Sequence, residues 1–164
     1  MASVTIESPV GPLFLEARDG DLRRLELRRG TSPGPREWVS YDDRDRAVLE
    51  QARTELERYF RGDLTVFTVP VRLDGPSFHR EVWEILKTIP FGQALTYSQV
   101  AEKLGSPRGA RAVGNACARN PVAIIVPCHR VLARSGLGGF GGGLDAKKWL
   151  LRHERYQLRL EDPT

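Results

Sequence analysis

The pattern of apolar residues changes along the chain, and this change limits the possible folds more than any other feature. Within the first 28 residues, apolar and polar residues alternate in three short segments separated by turn signals: SVTIES, LFLEA and LRRLELR. From Asp42 to Phe60 the apolar residues recur at helical spacing instead, with Asp42 or Asp43 as the N-cap and Gly62 at the end. The first third therefore predicts a small antiparallel sheet and one helix.

The remaining segments of this part set the domain boundary. RGTSPGPRE, residues 29–37, predicts a surface loop, and LTVFTVPV, residues 64–71, predicts another strand or extended segment. RLDGPS, residues 72–77, is the best linker candidate, because the apolar pattern beyond it is helical. We therefore predict an α+β fold, with a small α/β domain at residues 1–73 and a mainly helical domain at residues 74–164.

Two short helices lie close together in the second domain. TYSQVAEKLG begins with Thr96 as the N-cap and Gln99 as its capping-box partner, and it ends at Gly105. SPRGARAVGNACARN then offers Ser106 as the N-cap and Pro107 as the first helical residue. Two such helices joined by a tight, glycine-containing turn are typical of a helix-turn-helix, and an ordinary helical hairpin with a solvated basic face is the alternative.

The second helix of this pair would be the recognition helix of a helix-turn-helix. Its outer face would carry Arg108, Arg111 and Asn115, and its inner face Ala110, Val113 and Cys117. The chain of 164 residues has a net charge of +4 and a pI of about 9.4. This modest excess of positive charge fits either a polyanionic partner or simple solubility. The positions of the arginines distinguish these two possibilities.

Composition excludes several classes of protein. Hydrophobic residues make up 40% of the chain and charged residues 28%, as in a globular protein. Two cysteines are too few for a disulfide framework, so we expect free thiols in a reducing compartment. The first ten residues lack the features of a signal peptide, and no apolar stretch approaches the ~20 residues needed to span a bilayer. We therefore predict a cytoplasmic protein, or a nuclear one if the source has a nucleus, with no membrane partner.

The segment GLGGFGGGL contains Gly136, Gly138 and Gly141 at the G-x-G-x-x-G spacing of a dinucleotide-binding loop. Such a loop belongs between the first strand and helix of a βαβ unit, with an acidic residue about 20 positions later. Here the chain nearly ends by then, so we reject a dinucleotide cofactor. The segment either brings backbone close to a flat or bulky group or forms a flexible surface loop.

Cys128 and His129 are adjacent, directly after an apolar run that predicts a buried strand at residues 124–126. A thiol is a nucleophile only as the thiolate, which a neighbouring base or cation such as His129 or Arg130 makes available. Neighbours in an extended chain point to opposite sides, so direct contact needs a turn, and otherwise a water must carry the proton. Glu154 is the candidate for orienting the imidazole.

A zinc site or a hydrolase would use the same residue types. A zinc site is disfavoured, because the two cysteines and three histidines lack the paired spacing of structural zinc ligands. A Cys–His hydrolase needs the same nucleophile and base, and the residues alone leave it open. Cys117 fits a small buried hydrophobic residue.

Six segments of the second domain form an ordered set that spans about half of the chain, from Phe78 to Tyr156. They are TYSQVAEKLG, ARAVGNA, RNPVAI, IVPCHRV, the glycine-rich loop with Phe140, and KKWLLRHE. Together they resemble the O6-alkylguanine-DNA alkyltransferases. The resemblance implies a winged helix-turn-helix that approaches the minor groove, and an α/β domain of variable sequence ahead of it. It also implies a monomer whose partner is double-stranded DNA with O6-alkylguanine, and O4-alkylthymine is a further candidate lesion.

The resemblance implies a role for each matching residue. Cys128 would accept the alkyl group irreversibly, one group per molecule. His129 would act as the base through a bound water, and Glu154 would hold its imidazole. Asn120 would brace the turn around the site. Tyr97 would lie against the DNA phosphate that rotates during base flipping, and it is a candidate proton donor to the departing guanine.

The resemblance also implies contacts to DNA and to the base. Arg111 would enter the duplex and fill the gap left by the extruded base. Further DNA contacts would come from Thr96, Arg108, Ala110, Gly114 and Asn115. The base pocket would be lined by Val131, Phe140 and Gly141, and many relatives carry tyrosine in place of Phe140.

Two features bear on variants within the family. Some relatives bind zinc through cysteines and histidines of the N-terminal domain, but this chain has no cysteine before Cys117. We therefore predict no metal, and no cofactor. Non-catalytic alkyltransferase-like proteins replace the acceptor cysteine, commonly by tryptophan. The presence of Cys128 favours alkyl transfer here, and lesion binding without alkyl transfer is the alternative.

Overall fold

The computed structural model describes residues 1–28, 39–40 and 42–161. The chain forms two compact units, Met1–Asp74 and Gly75–Thr164. The surface loop predicted at residues 29–37 lies outside the described residues. No helix in the described part of the chain combines the length and the apolar character needed to cross a membrane.

The first unit contains the antiparallel sheet that the alternating segments predicted. Its strands are β1 (Ala2–Ile6), β2 (Leu13–Arg18), β3 (Asp21–Leu27) and β4 (Val39–Ser40), in the order β3-β2-β1-β4. β2 and β3 are joined by Asp19 and Gly20, whose φ angles are 55° and 82°. Two consecutive left-handed residues match the twist of a hairpin, which explains why an Asp-Gly pair occupies this turn.

Helix α1 (Asp43–Arg61) packs on β1, β2 and β3. The Asp42 side chain accepts a hydrogen bond of 2.8 Å from Arg44 N–H, and Gly62 ends the helix with a φ of 84°, so both predicted caps are present. The apolar residues of the helix and the inner face of the sheet form one buried core: Leu13, Leu15, Ala17, Leu22, Leu25, Leu49, Ala52 and Leu56.

Of the two predictions for residues 64–71, a strand or an extended segment, the strand is wrong for most of the segment. Only Val71 pairs with the sheet, in an isolated bridge to Leu22. The Glu55 carboxylate accepts hydrogen bonds from Thr68 N–H at 2.8 Å, Thr68 Oγ1 at 2.7 Å and Val69 N–H at 3.1 Å. A buried side chain of α1 therefore satisfies the backbone groups that a neighbouring strand would otherwise satisfy.

The second unit is mainly helical. Its elements are α2 (Ser77–Leu86), β5 (Leu95–Thr96), α3 (Tyr97–Lys103), α4 (Ala110–Ala118), β6 (Val131–Leu132) and α5 (Leu144–Glu161). α2 and α3 both pack on α4, and the buried Trp83 indole donates to the Ala116 carbonyl at 2.8 Å. β5 and β6 form a short parallel pair.

The two helices of the predicted helix-turn-helix are α3 and α4. The capping box of α3 is present, because Thr96 Oγ1 accepts from Gln99 N–H and Gln99 Oε1 accepts from Thr96 N–H. The predicted start of the second helix is wrong. Gly109 is the N-cap instead of Ser106, because Gly109 N–H donates to the Ser106 carbonyl at 2.8 Å and closes a separate turn ahead of the helix.

Replacing Glu55 by alanine should lower the free energy of unfolding by about 2 kcal/mol, because buried donors lose their acceptor. Burial raises the pKa of Glu55, but the hydrogen bonds from Thr68, Gln51 and Val69 outweigh it and hold that pKa below its ordinary value. The stabilisation is therefore present above the ordinary carboxyl pKa and is lost as the pH falls.

Chemical denaturation of the full chain, followed by circular dichroism, measures this loss. Glu50→Ala is the matched control, since Glu50 is an exposed residue of α1 whose ion pair with Arg46 spans 3.7 Å. Equal destabilisation by the two substitutions would contradict the role given to Glu55.

Candidate active site

The segment ahead of Cys128 is folded by the Asn120 side chain. Its Nδ2 donates to the Val126 carbonyl at 2.8 Å, and its Oδ1 accepts from Val122 N–H at 3.0 Å. Ile124 has a φ of 71°, and Val126 N–H donates to the Val122 carbonyl at 3.0 Å. The strand predicted at residues 124–126 is therefore wrong. The apolar run is a buried turn. Its hydrophobicity indicates that the segment is buried, but it does not indicate a strand.

Cys128–Arg130 form a single 3-10 turn. Arg130 N–H closes it by donating to the Pro127 carbonyl at 3.0 Å. All three side chains are buried, and Cys128 retains 8% of its exposure. The turn removes the extended geometry that would separate neighbouring side chains.

His129 is fully buried and bonded on one side. Its Nε2 lies 2.7 Å from Glu154 Oε2, while its Nδ1 has no hydrogen-bond partner among the described residues. Burial lowers the pKa of His129, and Arg130 and Lys147 lower it further, while the carboxylate of Glu154 raises it. The balance holds the pKa below its ordinary value, so the imidazole is neutral at physiological pH.

Glu154, on α5, is 1% exposed and accepts hydrogen bonds from several groups. Besides His129, it accepts from Arg130 Nε at 2.8 Å and Nη2 at 3.1 Å, and more weakly from Gly92 N–H at 3.4 Å. Burial raises the pKa of Glu154, but the hydrogen bonds and charges of His129 and Arg130 hold it well below its ordinary range. Glu154 is therefore ionised at physiological pH.

A cavity of about 410 Å³ opens in front of Cys128, within the size range of ligand sites. It is lined by residues from α3, α4, the Cys128 turn and the glycine-rich loop: Tyr97, Gly114, Cys117, Ala118, Cys128, Gly139, Phe140 and Gly141. Val131, which the family resemblance placed in the pocket, is fully buried and is not part of this lining.

Cys117 occupies a different place from the one predicted. It is partly exposed and lines the same cavity as Cys128. Burial, with the nearby Cys128, raises the pKa of Cys117 to about 12, so this thiol stays protonated. Burial also raises the pKa of Cys128, but the hydrogen bond from the Asn120 side chain and the charge of Lys147 oppose that rise.

Lys147 is a site residue that sequence reasoning missed. It is fully buried, and its Nζ donates to the carbonyls of Val131 at 2.7 Å, Gly139 at 3.0 Å and Leu137. It thereby ties the strand after the Cys128 turn to the glycine-rich loop. The signal was its spacing, since Lys147 lies one helical turn before the buried Leu150 and two turns before Glu154, on the same face of α5.

Gly138 is required by the position of Tyr97. Its φ is 70°, and a Cβ atom there would lie 2.7 Å from the Tyr97 hydroxyl. On the other side of Tyr97, a Cβ atom on Gly114 would lie 3.8 Å from the ring, which is an ordinary contact. The glycine-rich loop therefore packs more closely on Tyr97 than α4 does at Gly114.

The residues predicted to contact DNA lie on and around α4. Arg108, Arg111 and Asn115 are exposed, and Ala110, Gly114 and Thr96 are half-buried. Thr96 is also used in the capping box. In the described structure neither arginine has an acidic residue within ion-pair distance, and the pairs of this unit lie elsewhere.

The two units differ in charge. Residues 75–164 contain 13 basic and 7 acidic side chains, a net charge of +6, whereas residues 1–74 contain 12 basic and 14 acidic side chains, a net charge of −2. The positive charge that was ambiguous for the whole chain is therefore concentrated in the unit that carries the helix-turn-helix.

Comparison with known proteins gives the same pattern over the whole chain. The family model described as 6-O-methylguanine DNA methyltransferase, DNA binding domain, matches residues 77–156. The model for the ribonuclease-like domain of the same family matches residues 1–73, where the sequence resembled the family only in general style.

Individual relatives agree. A methylated-DNA–protein-cysteine methyltransferase of Shigella flexneri is 52% identical, with 93% of this chain and 95% of the relative covered. The Mycobacterium tuberculosis O6-methylguanine methyltransferase structure has a TM-score of 0.81 at 38% identity, covering 99% and 100% of the two chains. A structure of M. tuberculosis OGT in complex with DNA has a TM-score of 0.81 at 40% identity, covering 98% and 99%. The chain therefore belongs to the 6-O-methylguanine DNA methyltransferase family, the methylated-DNA–protein-cysteine methyltransferases of DNA repair.

Proposed function

We propose that this protein repairs O6-alkylguanine in double-stranded DNA by moving the alkyl group onto Cys128. The observation that carries the proposal is the Cys128 thiol in the cavity wall, next in sequence to the buried His129–Glu154 pair. The relative whose structure was determined with DNA supports a DNA partner.

The thiol is activated by His129 through one water. Because burial raises the pKa of Cys128, a base has to remove its proton. His129 is neutral, its Nε2 is held by Glu154, and its Nδ1 has no protein partner. A water between Nδ1 and the thiol carries the proton to the imidazole, while Asn120 and Lys147 stabilise the thiolate.

The thiolate then displaces guanine from the alkyl carbon. The sulfur–carbon bond forms as the bond from that carbon to O6 breaks, and the bonding electrons stay on guanine. Tyr97 lines the cavity and donates a proton to the departing base. The product is a thioether, outside the reversible redox chemistry of cysteine. One molecule therefore repairs one lesion.

The lesion reaches Cys128 only after leaving the base stack, at a cost of a few kcal/mol. Arg111, exposed in the first turn of α4, offsets part of this cost by filling the gap. The remaining contacts to the backbone come from Thr96, Arg108, Ala110, Gly114 and Asn115. Phe140 stacks on the flipped base, and Gly141 lets it approach closely.

The cellular compartment and the mode of DNA binding can be inferred from the same chain. Cys117 and Cys128 are free thiols, which suits a reducing, cytoplasmic compartment. The net charge of +6 on residues 75–164 makes DNA binding salt-dependent and tolerant of sequence. We propose a monomer, with O4-alkylthymine as a second lesion.

Incubation with a duplex containing O6-methylguanine should add one methyl group to the protein, measured as the intact mass. Cys128→Ala should gain nothing, and Cys117→Ala should still end with one methyl group, because the Cys117 thiol stays protonated. Tight binding without a mass gain would instead indicate a lesion-binding protein. Repeated turnover of an ester or amide would indicate a hydrolase.

Arg111→Ala should slow repair of duplex DNA by about 10- to 100-fold, as expected if the side chain offsets ~1.4–2.8 kcal/mol of unstacking. Its reaction with free O6-benzylguanine should stay near normal, since no base has to leave a stack. Arg80→Ala removes an exposed charge from α2 and serves as the control. Equal losses on both substrates would show that Arg111 has no part in flipping.

Gly138→Ala should slow alkyl transfer from free O6-benzylguanine by about tenfold or more, because the strain and clash cost roughly 1–3 kcal/mol and displace Tyr97 or the loop. Gly136→Ala is the matched control in the same loop, where a Cβ atom meets nothing within 4 Å. Single-turnover rates measure both variants. An unchanged rate for Gly138→Ala would mean that the Tyr97 position does not matter for transfer.

A further inference from the structure

Arg130 is buried beside the reacting residues but does not line the cavity. Its Nη1 donates to the Ile89 carbonyl at 2.6 Å, and its Nε and Nη2 donate to the two oxygens of Glu154 at 2.8 and 3.1 Å. Its guanidinium carbon lies 6.0 Å from the centre of the Phe91 ring. The cation that follows Cys128 in sequence is therefore directed at the carboxylate.

This contact decides the charge that His129 experiences. A buried carboxylate with only an imidazole as partner would leave its charge uncompensated and would draw a proton onto the imidazole. The bidentate Arg130 makes the Arg130–Glu154 pair neutral overall. Glu154 can then orient the ring without converting it to an imidazolium.

The same contact decides which nitrogen of His129 carries the hydrogen. An ionised carboxylate only accepts hydrogen bonds, so Nε2, at 2.7 Å from Glu154, carries the proton and Nδ1 keeps its lone pair. A protonated Glu154 could donate to Nε2 instead and leave the hydrogen on Nδ1. Nδ1 could then no longer accept a proton from the thiol side.

We propose that Arg130 is a positioning residue that keeps His129 a neutral base with its free lone pair on Nδ1. The inference rests on the proposed function in one respect, namely that a neutral His129 is needed for alkyl transfer. Arg130 touches neither substrate nor thiol in this role. It acts through its hydrogen bonds to Glu154 and through its positive charge beside His129.

The charged groups around His129 define the expected pH effect. Glu154 and Lys147 act on it from α5, and Arg130 acts from its own turn next to Cys128. The segment before β5 contributes backbone, with the Ile89 carbonyl on Arg130 and the Gly92 N–H near Glu154. Removing the Arg130 charge leaves the negative charge of Glu154 less compensated, so the pKa of His129 rises. As the pH falls, His129 is then protonated, and transfer is lost, at a higher pH than in the wild type.

Arg130→Met should move the acid limb of the pH–rate profile upward by about one pH unit, with free O6-benzylguanine as substrate. The rate should be about tenfold lower on that limb and approach that of the wild type as the pH rises. Arg130→Lys keeps the charge and should leave the limb in place, even if its rate is lower. Arg80→Met is the control for loss of an exposed arginine.

A second measurement does not depend on activity. NMR titration of the three histidines, with His129 assigned by His129→Gln, should show its protonation at higher pH in Arg130→Met. Glu154→Gln removes the charge that Arg130 compensates, so Arg130→Met should move the titration less in that background, where only the direct effect of the Arg130 charge on His129 is lost. If Arg130→Met alone does not fold, Arg130→Lys and Arg130→Gln provide the comparison.

The outcomes separate the two proposals. A wild-type protein that gains no alkyl group at any pH would overturn the proposed function, while the NMR titration would still test Arg130. A rate loss of the same factor at every pH, with an unchanged His129 titration, would overturn the inference and leave Arg130 as a packing residue.

Discussion

The structure around the reacting thiol depends on one buried carboxylate. Glu154 is removed from water, and it is stable there because groups from two other places in the chain converge on it: His129 and Arg130 of the 3-10 turn, and the Gly92 N–H. Glu154 thereby joins α5 to the 3-10 turn and to the segment between α2 and β5. An ion cluster of this kind contributes little net stability compared with apolar packing, so its value lies in geometry and charge.

The two units differ in their charge and in their buried polar groups. Residues 1–74 carry a slight negative charge and hold a sheet-and-helix core, at which the buried Glu55 accepts hydrogen bonds from Thr68 and Val69. Residues 75–164 carry the positive charge, the cavity and the buried polar cluster. Buried polar groups such as Lys147 and Glu154 restrict the second unit to one arrangement, because few arrangements satisfy all their hydrogen bonds.

The sequence predicted the parts of the fold in which local rules decide. Alternation located β1 to β3, the Asp42 cap and Gly62 located the ends of α1, and the Thr96–Gln99 capping box located α3. It failed where a distant side chain replaced a backbone partner, as Glu55 does for residues 68–69 and Asn120 does for residues 122–126. At the site, the pairing of His129 with Glu154 could be anticipated from residue types and the family resemblance. The partners of Lys147 and Arg130 are distant carbonyls and a carboxylate, which no local pattern encodes.

The left-handed Ile124 has a consequence for engineering. A β-branched residue at a φ of 71° is strained, by a cost of order 1–3 kcal/mol, and the two Asn120 hydrogen bonds around it hold it in place. Glycine or asparagine would relieve this strain, but either would remove a fully buried side chain, whose loss costs about 2–5 kcal/mol. Backbone strain and apolar packing are therefore opposed at a residue that contacts neither DNA nor the lesion in the proposed mechanism.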